Sequence, residues 1–170
     1  MKMILLFFIV YNLFIVEVKS QIDTIQIEES VYQQATLMNE YYLSGNYDLY
    51  LNFIHPKIIK NIGGRAKMID MFKRGIHTDF KLLSNSLQIP NHLIFTNSTI
   101  QCSIQQRQEF LMNKEKFYTL SYLIGISYDS GETWKFIGVA NMSFDFIKSH
   151  FPELSNDLYV ERQTKPIAIK

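Results

Sequence analysis

Residues 117–139 read FYTLSYLIGISYDSGETWKFIGV, and this stretch decides the fold. Two runs rich in β-branched and aromatic residues, FYTLSYLIGISY and TWKFIGV, flank Asp129-Ser130-Gly131, three residues that favour turns. The stretch therefore reads as two antiparallel strands joined by a hairpin. In the first strand Tyr118, Leu120, Tyr122, Ile124 and Ile126 alternate onto one face, with Thr119, Ser121 and Ser127 on the other. One side is expected to be buried and the other partly wet. The Asp129 carboxylate can accept hydrogen bonds from the backbone of its own turn, and Trp134 can pack back over the hairpin. Asp129, Gly131 and Trp134 are accordingly read as structural turn residues.

The same period of two continues upstream. Strands are expected near 79–89, 92–96, 99–110, 115–129 and 133–140, with Pro90-Asn91 and Asn97-Ser98 as breaks, the second a bulge rather than a turn, and Asn113-Lys114 as a hairpin turn. Before residue 79 the spacing is helical. Ser30 and Gln33 fit a capping box, and Val31, Ala35, Met38 and Tyr42 recur on one helix face. Gly45 suits a left-handed C-terminal cap. Asn46 is placed as the cap of a second helix, YDLYLNFI, with Asp48 in its first turn and Tyr47, Tyr50, Leu51 and Ile54 on one face. His55-Pro56 interrupts it, because a residue before proline avoids the α region. Pro56 can open a new turn, PKIIKNI, which Gly63-Gly64 ends. A third helix is expected over 65–74, with Met68, Ile69 and Phe72 inward. After the strands comes a short helix, SFDFIKSHF, and then PELSNDLYVERQTKPIAIK, which reads as a short edge strand or an unpaired tail. Helices followed by long antiparallel strands give an α+β fold with helices packed on one face of the sheet.

The chain has 170 residues, room for one ordinary domain. Its first twenty, MKMILLFFIVYNLFIVEVKS, open with Lys2 and run apolar from Met3 to Val16 apart from Asn12. They close with Val18 and Ser20 at the −3 and −1 places of a signal-peptidase site. Residues 1–20 are read as a secretory signal and 21–170 as the mature domain, secreted or periplasmic. The apolar run falls short of the roughly 20 residues of a comfortable membrane span. Residues 21–170 hold fifteen Lys and Arg against fifteen Asp and Glu, a balance without the basic footprint of a nucleic-acid binder. No block of like charge suggests a membrane-surface patch. The single cysteine, Cys102, lies in an alternating run with Ile100 and Ile104 on its own face, the setting of a small buried hydrophobe.

Ser127 to Trp134, SYDSGETW, matches S-x-D-x-G-x-T-W and resembles the Asp-box of sialidases and other glycan-active propellers. A propeller needs several four-stranded blades, and this chain supplies about one and a half. No second Asp-box and no internal repeat are present. The motif therefore reads as a hairpin staple. A wider resemblance covers most of residues 30–160. GNYDLYLNFIHPKIIKNIGGRAKMIDMFKRG (45–75), the long strands and YLIGISYDSGETWKFI (122–137) together resemble small secreted bacterial proteins of the NTF2-like superfamily, which has a cystatin-like fold. The resemblance implies a strongly curved sheet and helices forming a cone with an internal pocket. Some members are isomerases, dehydratases or cyclases with an Asp/His or Asp/Tyr pair in that pocket; others bind ligands or dimerise. No matching catalytic motif lets such a pair be carried onto this chain.

Catalytic candidates are few. His55, among Tyr47, Tyr50 and Phe53, has the chemistry of a general base. Asp70, among Met68, Ile69, Met71 and Phe72, is the acid best placed for a raised pKa. His77 and Asp79 form an H-x-D pair at a strand start, but a metal needs three or four ligands and no others cluster nearby; His92 and His150 stand apart. Gly63-Gly64-Arg65-Ala66-Lys67 offers backbone N–H groups and two cations to an anion, without the spacing of a P-loop. Tyr50, Tyr118, Tyr122 and Trp134 are the candidate ligand-binding aromatics. Asn97-Ser98-Thr99 and Asn141-Met142-Ser143 are glycosylation sequons. The leading expectation is a small apolar or amphipathic ligand in the cone, with no cofactor and no metal. The alternatives are an isomerase or dehydratase using His55 or Asp70, and a homodimeric interaction module. No nucleic acid and no membrane beyond the signal are expected as partners.

Overall fold

The computed structural model describes residues 24–75, 80–90 and 92–169. The signal reading, the His77-x-Asp79 pair and Asn91 lie outside them. Helix α1 covers residues 24–43. Three short helices follow: α2 (Tyr47–Tyr50), α3 (Pro56–Ile62) and α4 (Arg65–Gly75). The sheet strands are β1 (Phe80–Leu87), β2 (Leu93–Phe95), β3 (Ile100–Met112), β4 (Glu115–Ser127) and β5 (Lys135–Gly138). Helix α5 (Phe144–His150) and β6 (Ile167–Ala168) complete the chain. The fold is α+β, with helices on an open six-stranded antiparallel sheet.

The long β3–β4 hairpin is its spine, paired from Ile100↔Ser127 to Met112↔Glu115. The turn at Asn113-Lys114 has both residues at positive φ, 52° and 70°, as a two-residue primed turn requires. β1 and β2 share the outer edge of β3, and β5 and β6 share that of β4. Asn97-Ser98 is a turn, not a bulge: Thr96 N–H donates to Thr99 O at 2.9 Å across a β2–β3 hairpin. The bulge falls in β1 instead, between Leu82 and Ser84. The outer edge of β5 is covered by residues 53–55. Phe136 N–H donates to Phe53 O (2.7 Å) and His55 N–H to Phe136 O (3.1 Å). Covering an edge in this way removes a site for unwanted strand pairing.

Each face of the sheet carries a core. On the α1–α4 side, Val31, Ala35, Met38, Leu51 and Met68 pack with Ile104, Leu123, Trp134 and Phe136. On the other, Tyr122, Ile124, Ile126, Ile137 and Val139 meet Ile147 of α5 and Phe151, Leu154 and Leu158 of the C-terminal segment. The partly wet face expected for β4 is therefore corrected: Thr119, Ser121 and Ser127 are buried too. Their hydroxyls are all partnered, with Gln163 Nε2 donating to Thr119 Oγ1, Gln106 Nε2 to Ser121 Oγ and Gly131 N–H to Ser127 Oγ. A partnered hydroxyl tolerates burial, so polarity alone misjudged that face. Gly125 permits the close approach of Trp134: a Cβ there would stand 3.1 Å from Cys102 Sγ and 3.2 Å from the indole. Cys102 is fully buried, its thiol pushed up to about 12 by burial.

Two helix starts differ from expectation. α1 is already helical at residue 24, so Ser30 is not its cap. The Ser30 hydroxyl donates instead to Gly131 O at 2.8 Å, while Gln33 pairs with Glu29. α2 is a single turn rather than YDLYLNFI, because residues 53–55 must extend along β5. Asn46 precedes it but makes no side-chain capping bond. Gly45 and Gly63 take the left-handed conformation expected of caps, and α3 spans the expected Pro56–Ile62.

Candidate functional site

The Asp-box is a fully bonded staple. Asp129 Oδ1 accepts from Thr133 N–H and from Ser127 Oγ, both at 2.8 Å, and Oδ2 accepts from Thr133 Oγ1 at 2.6 Å. Burial pushes the Asp129 carboxyl up, but the bonds from Thr133 and Ser127 outweigh it and hold it below its ordinary value. Trp134 Nε1 donates to Gly131 O at 3.1 Å. The hairpin also binds α1: Gln34 Nε2 donates to Glu132 O (2.9 Å), and Gln34 Oε1 accepts from Trp134 N–H (3.0 Å). The side chains of Ser127, Asp129, Thr133 and Trp134 are thus spent on the fold.

His55 is buried with partners that its sequence neighbourhood conceals. Its Nδ1 accepts from Lys57 N–H at 3.2 Å, capping α3. That leaves the ring proton on Nε2, which faces Tyr128 Oη at 3.0 Å. Glu153 Oε1 stands 3.9 Å from the same nitrogen. Burial lowers the His55 pKa, Glu153 partly opposes this, and the ring is neutral near pH 7. Burial, then Glu153, raises that of Tyr128. Gln101, fully buried, clamps the same C-terminal segment by donating to Glu153 O and accepting from Ser155 N–H. Asp70 lies elsewhere, exposed on α4 and paired with Arg74 at 2.6 Å. The two catalytic candidates are not brought together.

A cleft of about 370 Å³ opens between α2–α4 on one side and β5 with α5 on the other. Tyr50, Ile58 and Ile62 form one wall; Ile137, Phe146 and Phe151 form the other. Asn61 and His150, both exposed, bring the polar groups. Pro56 and the His55 cap start α3, and the Ser143 hydroxyl starts α5 by accepting from Phe146 N–H at 3.3 Å. His150 Nδ1 lies 2.9 Å from the Phe146 carbonyl, which can only accept, so that nitrogen carries a proton and leaves Nε2 for other partners. Lys57 Nζ bonds the His150 carbonyl, tying the two walls together. Such an arrangement can hold an apolar body and orient a polar end.

Of the sequence-derived aromatics only Tyr50 lines this cleft. It belongs to a cluster with Tyr42, Tyr47 and Phe72, and burial raises its pKa. Tyr118 stacks on the Arg107 guanidinium at 4.0 Å, and Tyr122 and Trp134 are buried in the two cores. His55 does not line the cleft, although Phe151, which does, packs edge-on against its ring at 4.9 Å. Gly63 and Gly64 join the end of α3 to the start of α4, and Arg65 is paired with Asp48 at 2.9 Å. Asn97 and Asn141 are both exposed. Met142, Phe146 and His150 were missed as site residues. Phe146 and His150 share one face of α5 at i, i+4, which was the available signal; Met142 precedes the helix and had none. Among the described residues no group of three or more His, Cys, Asp or Glu could hold a metal ion, and no helix is long and apolar enough to cross a membrane.

No family model, curated protein or solved structure matches this chain. Fold and site together define an α+β protein with an apolar cleft at the β5 edge of its sheet.

Proposed function

We propose that this chain is a secreted NTF2-like protein that binds a small apolar or amphipathic molecule in the cleft between α3 and α5. The observation that carries the reading is the cleft itself. Its volume of about 370 Å³ lies within the range of small-molecule sites, and most of its lining is apolar. Met142 and Phe146 keep 36% and 52% of their surface exposed there, apolar area that a ligand would cover. Helices preceding a long antiparallel hairpin support the superfamily, with the binding site at the sheet edge rather than under its centre, where Trp134 and Phe136 fill the space. The leader sequence supports export. Native mass spectrometry on the protein, purified without denaturation in the form its cells accumulate, tests the reading. A retained small-molecule mass is expected, and Ile62→Trp, which fills the cleft, is expected to abolish it. A bare monomer that also takes up no added 1-dodecanol would refute the proposal, as would a doubled mass in which a second copy covers the cleft.

A further inference from the structure

Resting on the cleft as the binding site, we infer that its ligand is an anionic amphiphile: a single apolar chain ended by a carboxylate or another small anion. Residues 21–170 are neutral overall, but their charge is unevenly placed. Residues 47–75 and 144–150, which include α2–α4 and α5, carry seven Lys and Arg against three Asp and Glu. The rest of 21–170 carries eight against twelve. The cleft thus lies between the basic elements of an otherwise acidic domain.

The acids offset the arginines rather than the lysines. Asp48 is taken up by Arg65 and Asp70 by Arg74. Asp145 lies in the first turn of α5, where the helix dipole favours a carboxylate. Among the described residues no carboxylate is within ion-pair distance of Lys57, Lys60, Lys67 or Lys148. Glu153, the next acid along the chain, sits beside His55 and Tyr128 and does not line the cleft.

Lys57 marks the rim. Its Nζ bonds the His150 carbonyl and lies 5.3 Å from the Phe151 ring centroid, and both residues line the cleft. Lys60, exposed on α3, stands three residues from Lys57, the spacing that brings helix side chains together. A carboxylate at this rim would meet the Asn61 amide, the second nitrogen of His150 and the Lys57 and Lys60 ammonium groups, while its chain occupied the apolar interior. A neutral alcohol would gain the hydrogen bonds without the charge, and a cationic head would be repelled.

Isothermal titration with dodecanoate, 1-dodecanol and dodecyltrimethylammonium, each below its micelle concentration or solubility limit, separates these cases. Dodecanoate is expected to bind about fivefold tighter than the alcohol, the scale of one partly screened ion pair, and the cation weakest. The gap should close in about 0.5 M salt. Lys60→Gln should weaken dodecanoate about two- to threefold and shift dodecanol by less, whereas Lys57→Gln, which also loses the tie between the two walls, should weaken both. Lys165→Gln, outside these elements, should change neither. Equal affinity for all three amphiphiles would overturn the anionic ligand and leave the cleft as a binding site. Binding of none would overturn both. Pelleting with anionic vesicles but no uptake of monomeric dodecanoate would overturn the inference in favour of a membrane surface.

Discussion

The Asp-box hairpin and the cleft both draw on the β4–β5 unit, yet they are built on opposite terms. In the hairpin, Trp134 is 1% exposed, the Asp129 carboxylate accepts three short hydrogen bonds, and two side chains of α1 reach across to bind its backbone. In the cleft, apolar side chains face open space and the polar residues stand at the rim. Surface buried in a packed, fully bonded turn stabilises the fold. Apolar surface left open does not, and it is available for binding. A motif that resembles a glycan-enzyme signature is thus structural here, while short helices without any motif supply most of the candidate site's walls.

This contrast can be broken from either side. The largest effect is expected from Trp134→Ala, which removes a buried indole and its bond to Gly131. It should cost about 3–5 kcal/mol in denaturant unfolding, and a loss below 1 kcal/mol would remove the hairpin from the core. Gly125→Ala should follow at about 1–3 kcal/mol, since its Cβ would press on Cys102 and Trp134. Asp129→Ala should cost about 0.5–1.5 kcal/mol, because its bonds to the Thr133 N–H and hydroxyl are exposed and water replaces them in part. The Asp129 carboxyl stays ionised to lower pH in the folded chain than in the unfolded one. Its stabilisation is therefore complete above the ordinary value of 3.8 and is lost as pH falls through its lower folded value. The variant's stability curve should be flatter than the wild type's in that acid range.

His55→Asn is a smaller and sharper test. Asparagine is a good N-cap, so α3 keeps its start while the contact to Tyr128 is lost. The wild-type His55 contribution is complete above the ordinary pKa of 6.5 and declines as pH falls toward its lowered folded value. The variant should lack that decline when unfolding is followed from pH 7.5 to 5. The smallest stability effect belongs to the cleft. Phe146→Ala should change stability by within about 0.5 kcal/mol, while 1-dodecanol affinity should fall by at least fivefold. If stability fell by several kcal/mol and binding held, cleft and core would not be distinct regions.

Elements with strong local signals were legible in advance. The five strands before α5, the Asn113-Lys114 turn, the caps at Gly45 and Gly63 and the inward face of Val31, Ala35 and Met38 follow from period and turn chemistry. Misread positions were those whose side chains bond across the fold. Ser30 has the form of a helix cap, but its hydroxyl meets Gly131, 101 residues away. Thr119 and Ser121 have the form of a wet face but are buried against Gln163 and Gln106. His55 looked unpartnered because Tyr128 and Glu153 lie 73 and 98 residues downstream.

What the sequence by itself determined was the α+β class, the β3–β4–β5 meander and the reading of SYDSGETW as a turn, because hydrophobic period and turn residues act over a few neighbours. Only the tertiary structure decided where the cleft lies, that Tyr50 faces it and that Lys57 stands at its rim. Those facts depend on how α3 and α5, separated by five strands in sequence, come to flank β5. Packing of distant elements is set by the joint filling of both cores, and no local pattern encodes it.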